Sequence, residues 1–121
     1  MQAIVLFAHG SRDPLWHRPI QTLAERIRAR APHVQVRCAY LELTAPDLPT
    51  CVAQLCEEGC TSLRLLPMFL GIGKHAREDL PELLVTLRRL HPHLTLEVLP
   101  AVGEHPALIE RMSELALGEI R

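Results

Sequence analysis

The chain has 121 residues, a hydrophobic fraction of 48% and a formal net charge of −1. This length suits one domain over residues 1–121, and the apolar content is sufficient for a core. A near-neutral charge argues against a nucleic-acid binder, which usually carries a strong basic excess. No apolar run is long enough to span a bilayer, so the sequence predicts neither nucleic acid nor a membrane as a partner.

Four cysteines are present, and none forms a Cys-x-x-Cys pair. Cys51, Cys56 and Cys60 fall on or just after one predicted helix, at spacings unlike those of the usual zinc ligands. Free cysteine is among the most buried residue types, so we expect these thiols to pack in the core. A reducing, cytoplasmic location is the simplest interpretation.

The first half of the chain alternates strand and helix patterns. Residues 3–8 form a continuous apolar run, which is typical of a strand buried on both faces. Residues 20–27 then carry apolar side chains at helical spacing. Residues 34–40 alternate apolar and polar side chains, which predicts a half-exposed strand. Residues 48–56 return to helical spacing, and Gly59 can end that helix.

The same alternation continues in the second half. Residues 63–70 predict another buried strand. Residues 80–87 form a third helical stripe, in which Pro81 suits the first turn. Residues 94–98 alternate as an exposed strand does, and residues 108–116 close the chain as a helix.

Alternating strands and helices predict a parallel sheet with helices on both faces and right-handed crossovers. The first and third strands are the most apolar and should be central, whereas the second and fourth should lie at the edges. The predicted fold is therefore an α/β four-stranded parallel sheet of order 2-1-3-4. This order reverses between strands one and three, and ligands in such sheets bind outside the carboxyl ends of the strands at that point.

Potential metal ligands follow the three strands that meet at this point. His9 comes directly after the first strand, Glu42 ends the second, and His75 lies in the loop after the third. Neighbouring strands are about 4.8 Å apart, so these side chains could converge on one ion. Two imidazoles and a carboxylate are a common ligand set for first-row metals. Ordinary alternatives stay open: a turn cap for His9, a solvated strand end for Glu42 and a helix start for His75.

Other candidate residues carry weaker signals. His17 lies early in the first helix and could approach the site, and Trp16 could pack or line a flat ligand. We expect residues 91–93 to form a structural turn and His105 to cap the last helix. The glycines at 71–73 do not belong to a Walker loop, and the dinucleotide pattern is absent, so neither ATP nor NAD is indicated.

Three segments resemble the motifs of the small sirohydrochlorin chelatases, which are ATP-independent enzymes that insert cobalt or iron in cobalamin and sirohaem synthesis. The segments are AHGSRDP at 8–14, YLELTAP at 40–46 and PMFLGIGKHAREDLP at 67–81. They occur in the family's order, and the resemblance extends over essentially the whole chain. The resemblance implies a chelatase-like α/β half that acts as a lyase on a tetrapyrrole.

The resemblance also implies roles for individual residues. The family's catalytic and metal-binding positions fall on His9, Glu42 and His75. Its substrate is rich in carboxylates, and basic residues of the two key loops can bind them: Arg12, Lys74 and Arg77. The metal ion is then a substrate, which could be Co²⁺, Fe²⁺ or Ni²⁺. Affinity rises from Fe²⁺ to Co²⁺ to Ni²⁺ at almost any such site, so the choice in the cell depends on metal supply and site geometry.

Two further expectations concern partners and competing functions. Larger chelatases consist of two similar halves facing across a cleft, so the resemblance implies a homodimer for a chain that supplies one wall. A metal carrier or sensor with the same site and no catalysis is the alternative function. A phosphohistidine-type phosphatase is disfavoured, because it needs an arginine before the histidine, where this chain has Ala8.

Overall fold

A computed structural model describes residues 1–119, and the last two residues of the predicted 1–121 domain lie outside the described residues. Strands and helices alternate along the described chain in the predicted sequence. The elements are β1 (Gln2–Ala8), α1 (Pro14–Arg30), β2 (Gln35–Tyr40), α2 (Leu48–Glu57), β3 (Ser62–Pro67), α3 (Lys74–Leu90), β4 (Thr95–Val98) and α4 (Pro106–Leu117), with a 3₁₀ turn at Val102–Glu104 before α4.

The sheet has the order β2-β1-β3-β4, and each neighbouring pair is parallel. This confirms the predicted fold. Val5 and Leu6 of the central strand β1 are fully buried, as expected for a strand covered on both faces. The alternating strands β2 and β4 lie at the edges, as their patterns predicted.

Two hydrophobic clusters cover the two faces of the sheet. Because successive side chains of a strand point to opposite faces, Val5 and Phe7 join α2 and α3 in one cluster. Leu6 and Ala8 join α1 in the other. Helices therefore lie on both faces, and the chain buries its apolar residues on each side of one sheet.

The cysteines pack in these clusters, as predicted. Cys51 and Cys60 are buried, Cys38 and Cys56 are half-buried, and all four are free. Burial, as the main cause, raises the pKa of Cys51 to about 11, so its thiol stays protonated at neutral pH.

Some predicted boundaries were wrong. β2 ends at Tyr40 and β3 at Pro67, so Glu42 and Leu70 lie in the following loops. Helix α3 starts at Lys74, which places Pro81 inside the helix and not in its first turn. Proline there leaves the carbonyl one turn earlier without its helical partner. The apolar stripe at residues 80–87 therefore predicted only the part of α3 that packs on the core, and the helix extends beyond it at both ends.

Within residues 1–119, no helix combines the length and the apolar character needed to cross a membrane.

Candidate metal centre

Two loops at the carboxyl edge of the sheet continue the pairing of β1 with β2 beyond the strand ends. The N–H of Leu41 donates to the carbonyl oxygen of Ala8 at 2.9 Å, and that of Glu42 donates to the carbonyl oxygen of His9 at 3.0 Å. We call residues 9–13 the first loop and residues 41–47 the second loop. Their pairing brings His9 and Glu42 out side by side.

The side chains of His9 and Glu42 meet at the surface. Nε2 of His9 lies 3.0 Å from Oε1 of Glu42, and the two side chains are 58% and 55% exposed. Such an exposed pair contributes little to stability, typically below about 1 kcal/mol. An imidazole nitrogen and a carboxylate oxygen are both ligands for first-row metals, so this open pair can bind an ion.

Gly10 lets the first loop pass close to the second. Its φ is +104°, and a Cβ at this position would lie only 1.9 Å from the carbonyl oxygen of Glu42. Only glycine adopts such a backbone freely and leaves this space. The residue after His9 is therefore a glycine for a structural reason: any side chain there would clash with the backbone of Glu42, the other candidate ligand.

The second loop turns sharply after Glu42. The N–H of Thr44 donates to the carbonyl oxygen of Glu42 at 2.8 Å, and Leu43 has a φ of 63°. A positive φ is uncommon for a residue other than glycine and costs free energy that the surrounding structure must offset. This strained turn directs the chain back to the sheet immediately beyond the carboxylate.

His75 does not join the pair in this structure. It is the second residue of α3 and is exposed, together with its neighbour Lys74 and with Arg77. Across residues 1–119, no group of three histidine, cysteine or acidic side chains is close enough to hold an ion. The structure thus brings two of the three predicted ligands together and leaves the third apart.

The remaining candidate residues, His105, His17 and Trp16, have capping or packing roles in the structure. His105 caps α4, as predicted, by accepting a hydrogen bond from the N–H of Ala107 at 3.1 Å. His17 is buried beneath the first loop, where it packs edge-on against Trp16, with ring centroids 4.9 Å apart. Trp16 itself remains partly exposed in the first turn of α1.

A cleft of about 700 Å³ adjoins the two loops, and sequence reasoning missed part of its lining. Besides the predicted Arg12, it contains Arg18 and Gln21 of α1. Neither arginine forms an ion pair within the described chain. The helical pattern of α1 could have predicted Arg18 and Gln21. Residues three, four and seven positions apart lie on the same face of a helix. Pro14, His17, Arg18 and Gln21 have this spacing.

Large apolar side chains are exposed in the loops at this edge. Leu41 and Leu43 flank Glu42, and Leu70 follows β3 with 70% of its surface exposed. Leu15 and Trp16 add two more at the start of α1. Apolar surface concentrated around polar ligands marks a binding region more often than a solvated one.

Comparison with known sequences finds a matching family model and relatives that are named as chelatases. A sequence model of the CbiX family matches residues 3–117. Sirohydrochlorin cobaltochelatases from Methanocaldococcus jannaschii and Methanococcus aeolicus are 33% and 31% identical, over 75% and 69% of this chain. The matched segments span 64% and 59% of those relatives. The sirohydrochlorin ferrochelatase of Bacillus subtilis is 26% identical over 84% of this chain and 39% of its own length.

Solved structures show the same fold. A CbiX protein of cobalamin biosynthesis from Marinobacter aquaeolei superposes with a TM-score of 0.80 and 29% identity, over 99% of this chain and 98% of that one. The sirohydrochlorin chelatase SirB from Bacillus subtilis subspecies spizizenii, in complex with cobalt, superposes with a TM-score of 0.72 and 24% identity, over 95% of this chain and 51% of SirB. Because the family model matches residues 3–117, nearly the whole of this chain, the chain belongs to the CbiX family.

Proposed function

We propose that this protein inserts a divalent metal ion, cobalt or iron, into sirohydrochlorin without ATP. The observation that carries the proposal is the exposed His9–Glu42 pair at 3.0 Å, at the carboxyl edge of the sheet of a CbiX-family chain. The substrate class follows from relatives named sirohydrochlorin cobaltochelatase and sirohydrochlorin ferrochelatase. Nickel is a further candidate, because an imidazole–carboxylate site generally binds Ni²⁺ more tightly than Co²⁺ or Fe²⁺.

The proposed reaction has two obstacles, and the site residues address both. The ion must lose its water ligands, and the pyrrole nitrogens must lose their protons. Nε2 of His9 and the carboxylate of Glu42 replace water on the ion, and Glu42 balances part of its charge. A neutral imidazole can also accept a proton near pH 7, and we assign this second role to His9 and His75.

We further propose that His75 completes the ligand set when the metal substrate binds. It follows a loop with two glycines, and a Cβ added at Gly71 or Gly73 would meet no atom within 4 Å. This loop therefore has open space around it at the start of α3. We propose that the helix start shifts when the ion binds and brings the imidazole to the His9–Glu42 pair.

Basic and apolar side chains around the pair suit the tetrapyrrole itself. Guanidinium groups bind carboxylates through paired hydrogen bonds, and we assign this role to the arginines of the cleft and to the basic residues that start α3. These residues are Arg12, Arg18, Lys74 and Arg77. The exposed leucines Leu41, Leu43 and Leu70 can contact the flat faces of the ring.

We propose a homodimer in which a second copy supplies the other wall of the site. The ligand pair is more than half exposed, whereas binding sites usually bury most of a ligand's surface. One copy of this chain aligns with 51% of SirB, so two copies approach the size of that chelatase. Free cysteines fit a reducing compartment, and we place the reaction in the cytoplasm, in cobalamin or sirohaem synthesis.

Metallation of sirohydrochlorin tests the proposed activity directly. Purified protein is mixed with sirohydrochlorin and Co²⁺, Fe²⁺ or Ni²⁺ in separate reactions without nucleotide, and product formation is followed by absorbance. We expect cobalt or iron insertion well above the spontaneous rate, and a Glu42→Gln variant close to that rate. Tight Co²⁺ binding with no acceleration and no tetrapyrrole binding would instead indicate the metal carrier or sensor.

A further inference from the structure

His17 is a buried polar residue that contacts the backbone of the first loop. Its Nε2 lies 2.7 Å from the carbonyl oxygen of Ser11, and only 9% of the residue is exposed. A carbonyl oxygen can only accept, so Nε2 carries the proton and donates it. Nδ1 then accepts from the hydroxyl of Tyr40 at 3.3 Å. The imidazole thus connects α1, the first loop and the end of β2.

Thr44 connects the same carbonyl to the second loop. Its hydroxyl donates to the carbonyl oxygen of Ser11 at 2.5 Å, and its Oγ1 accepts from the N–H of Ser11 at 3.2 Å. We call these contacts of His17, Ser11 and Thr44 the loop latch. Ser11 follows His9 by two residues, and Thr44 follows Glu42 by two residues. The latch therefore fastens the loops immediately beyond both ligands.

We propose that His17 and Thr44 are positioning residues that hold His9 and Glu42 at a separation ready for the metal substrate. The proposal rests on the proposed function for the identity of the two ligands. The His9–Glu42 contact is exposed, and exposed pairs hold their partners weakly. The latch is part-buried, with His17 only 9% exposed, and it comprises several hydrogen bonds, so it is better able to fix the distance between the loops. Preorganised ligands bind an ion without the cost of ordering them first.

The test distinguishes the effect of the Thr44 hydroxyl group from the effect of the side chain's size. Thr44→Val removes both hydrogen bonds at nearly constant size, whereas Thr44→Ser keeps the hydroxyl. His17→Leu removes the other arm of the latch. Thr86→Val is the matched control, because the hydroxyl of Thr86 also donates to a backbone carbonyl, that of Glu82 within α3 at 3.2 Å.

Each variant is checked for folding by circular dichroism, and its Co²⁺ dissociation constant is measured by titration without tetrapyrrole. Loss of residues that orient metal ligands typically costs about 10–100-fold in affinity. We expect Thr44→Val and His17→Leu to weaken Co²⁺ binding by about tenfold or more. Thr44→Ser and Thr86→Val should stay within about twofold of the unaltered protein. In the metallation assay, KM for Co²⁺ should rise by a larger factor than KM for sirohydrochlorin.

A folded Thr44→Val variant with unchanged Co²⁺ affinity would overturn the proposal, even if His17→Leu fails to fold. Equal losses in Thr44→Ser and Thr44→Val would also overturn it, because the hydroxyl would then not be the cause. If the unaltered protein binds Co²⁺ but metallates nothing, the proposed activity fails while the affinities still decide the role of the latch. If it binds no Co²⁺ at all, both proposals fail.

Discussion

Glu42 contacts His9 twice, once through its backbone and once through its side chain. Its N–H donates to the carbonyl oxygen of His9 at 3.0 Å, and its Oε1 lies 3.0 Å from Nε2 of His9. The pairing that extends the sheet beyond β1 and β2 therefore also delivers an imidazole and a carboxylate to one point. Because both side chains are exposed, an ion can reach them without any opening of the core.

Removing either member of the pair should abolish most activity and leave the fold intact. We expect His9→Ala to slow cobalt insertion by roughly a hundredfold, in line with the loss of a positioned acid–base group, and Glu42→Gln to impair it strongly. Thermal unfolding should change little, because an exposed pair contributes about 1 kcal/mol or less. Initial rates and melting temperatures of the same preparations check both parts.

The control for these variants is His91→Ala. His91 caps the carboxyl end of α3 and lines a different pocket, beside Cys60 and Pro92. Its substitution should leave cobalt insertion almost unchanged. Full activity in His9→Ala would show that the metal site has been misplaced.

His75→Ala tests whether the start of α3 reaches the ion. We expect a loss of roughly a hundredfold in cobalt insertion, although His75 lies outside the pair in this structure. A matched substitution of another exposed histidine, His93→Ala, should have almost no effect. If His75→Ala retains full activity while His9→Ala is inactive, the third ligand comes from another residue or from a second copy.

Gly10→Ala should be more damaging than a comparable glycine substitution elsewhere. Gly10 and Gly59 have similar positive φ values of +104° and +97°, but an added Cβ meets the Glu42 backbone only at Gly10. Backbone strain alone costs about 1–3 kcal/mol, which is what we expect for Gly59→Ala. Gly10→Ala should lose clearly more stability in urea unfolding and should also reduce metallation, because the clash moves the second loop.

Alkaline pH should destabilise the protein through the buried Cys51. Burial, as the main cause, raises the pKa of Cys51 from 9.0 to about 11, so the folded state favours the neutral thiol. The stability that this provides is complete below pH 9 and is lost as the pH rises from 9 through 11. Melting temperatures of the unaltered protein should fall over this interval, and those of Cys51→Ala should fall less steeply. Parallel curves would contradict the prediction.

Tyr40 adds a second contribution in the same direction. Burial is the main cause that raises its pKa from 10.0 to about 12, with a smaller contribution from the neighbouring Cys38. The folded state therefore also keeps the phenol protonated, and this stability is complete below pH 10 and is lost as the pH rises from 10 through 12. The comparison with Cys51→Ala is consequently best made between pH 9 and pH 10, before the Tyr40 contribution begins to fall.

Dilution should test the shared site. If a second copy supplies the missing wall, light scattering should show a dimer at working concentration, and specific activity should fall once dilution separates the copies. A monomer that keeps full activity at every concentration would refute the shared site while leaving the role of the His9–Glu42 pair intact.

The sheet order could be predicted because the burial of a strand determines the pattern of apolar and polar residues along it. The continuous apolar run of β1 indicated a central strand, and the alternation in β4 indicated an edge. The placement of His9 and Glu42 followed from the same reasoning, since parallel strands end at a common edge. The end of β3 could not be predicted, because the apolar run continues into its loop. There Phe69 packs edge-on against Phe7, with ring centroids 5.8 Å apart.

The sequence by itself determined which strands are central and which chemical groups leave the carboxyl edge of the sheet. Only the tertiary structure decided which of those groups meet. His9 and Glu42 lie close together because backbone hydrogen bonds continue between their loops, and the latch joins His17 to Thr44 across 27 positions of the chain. Such contacts depend on the distance between loops that are remote in sequence, and hydropathy and spacing carry no record of that distance.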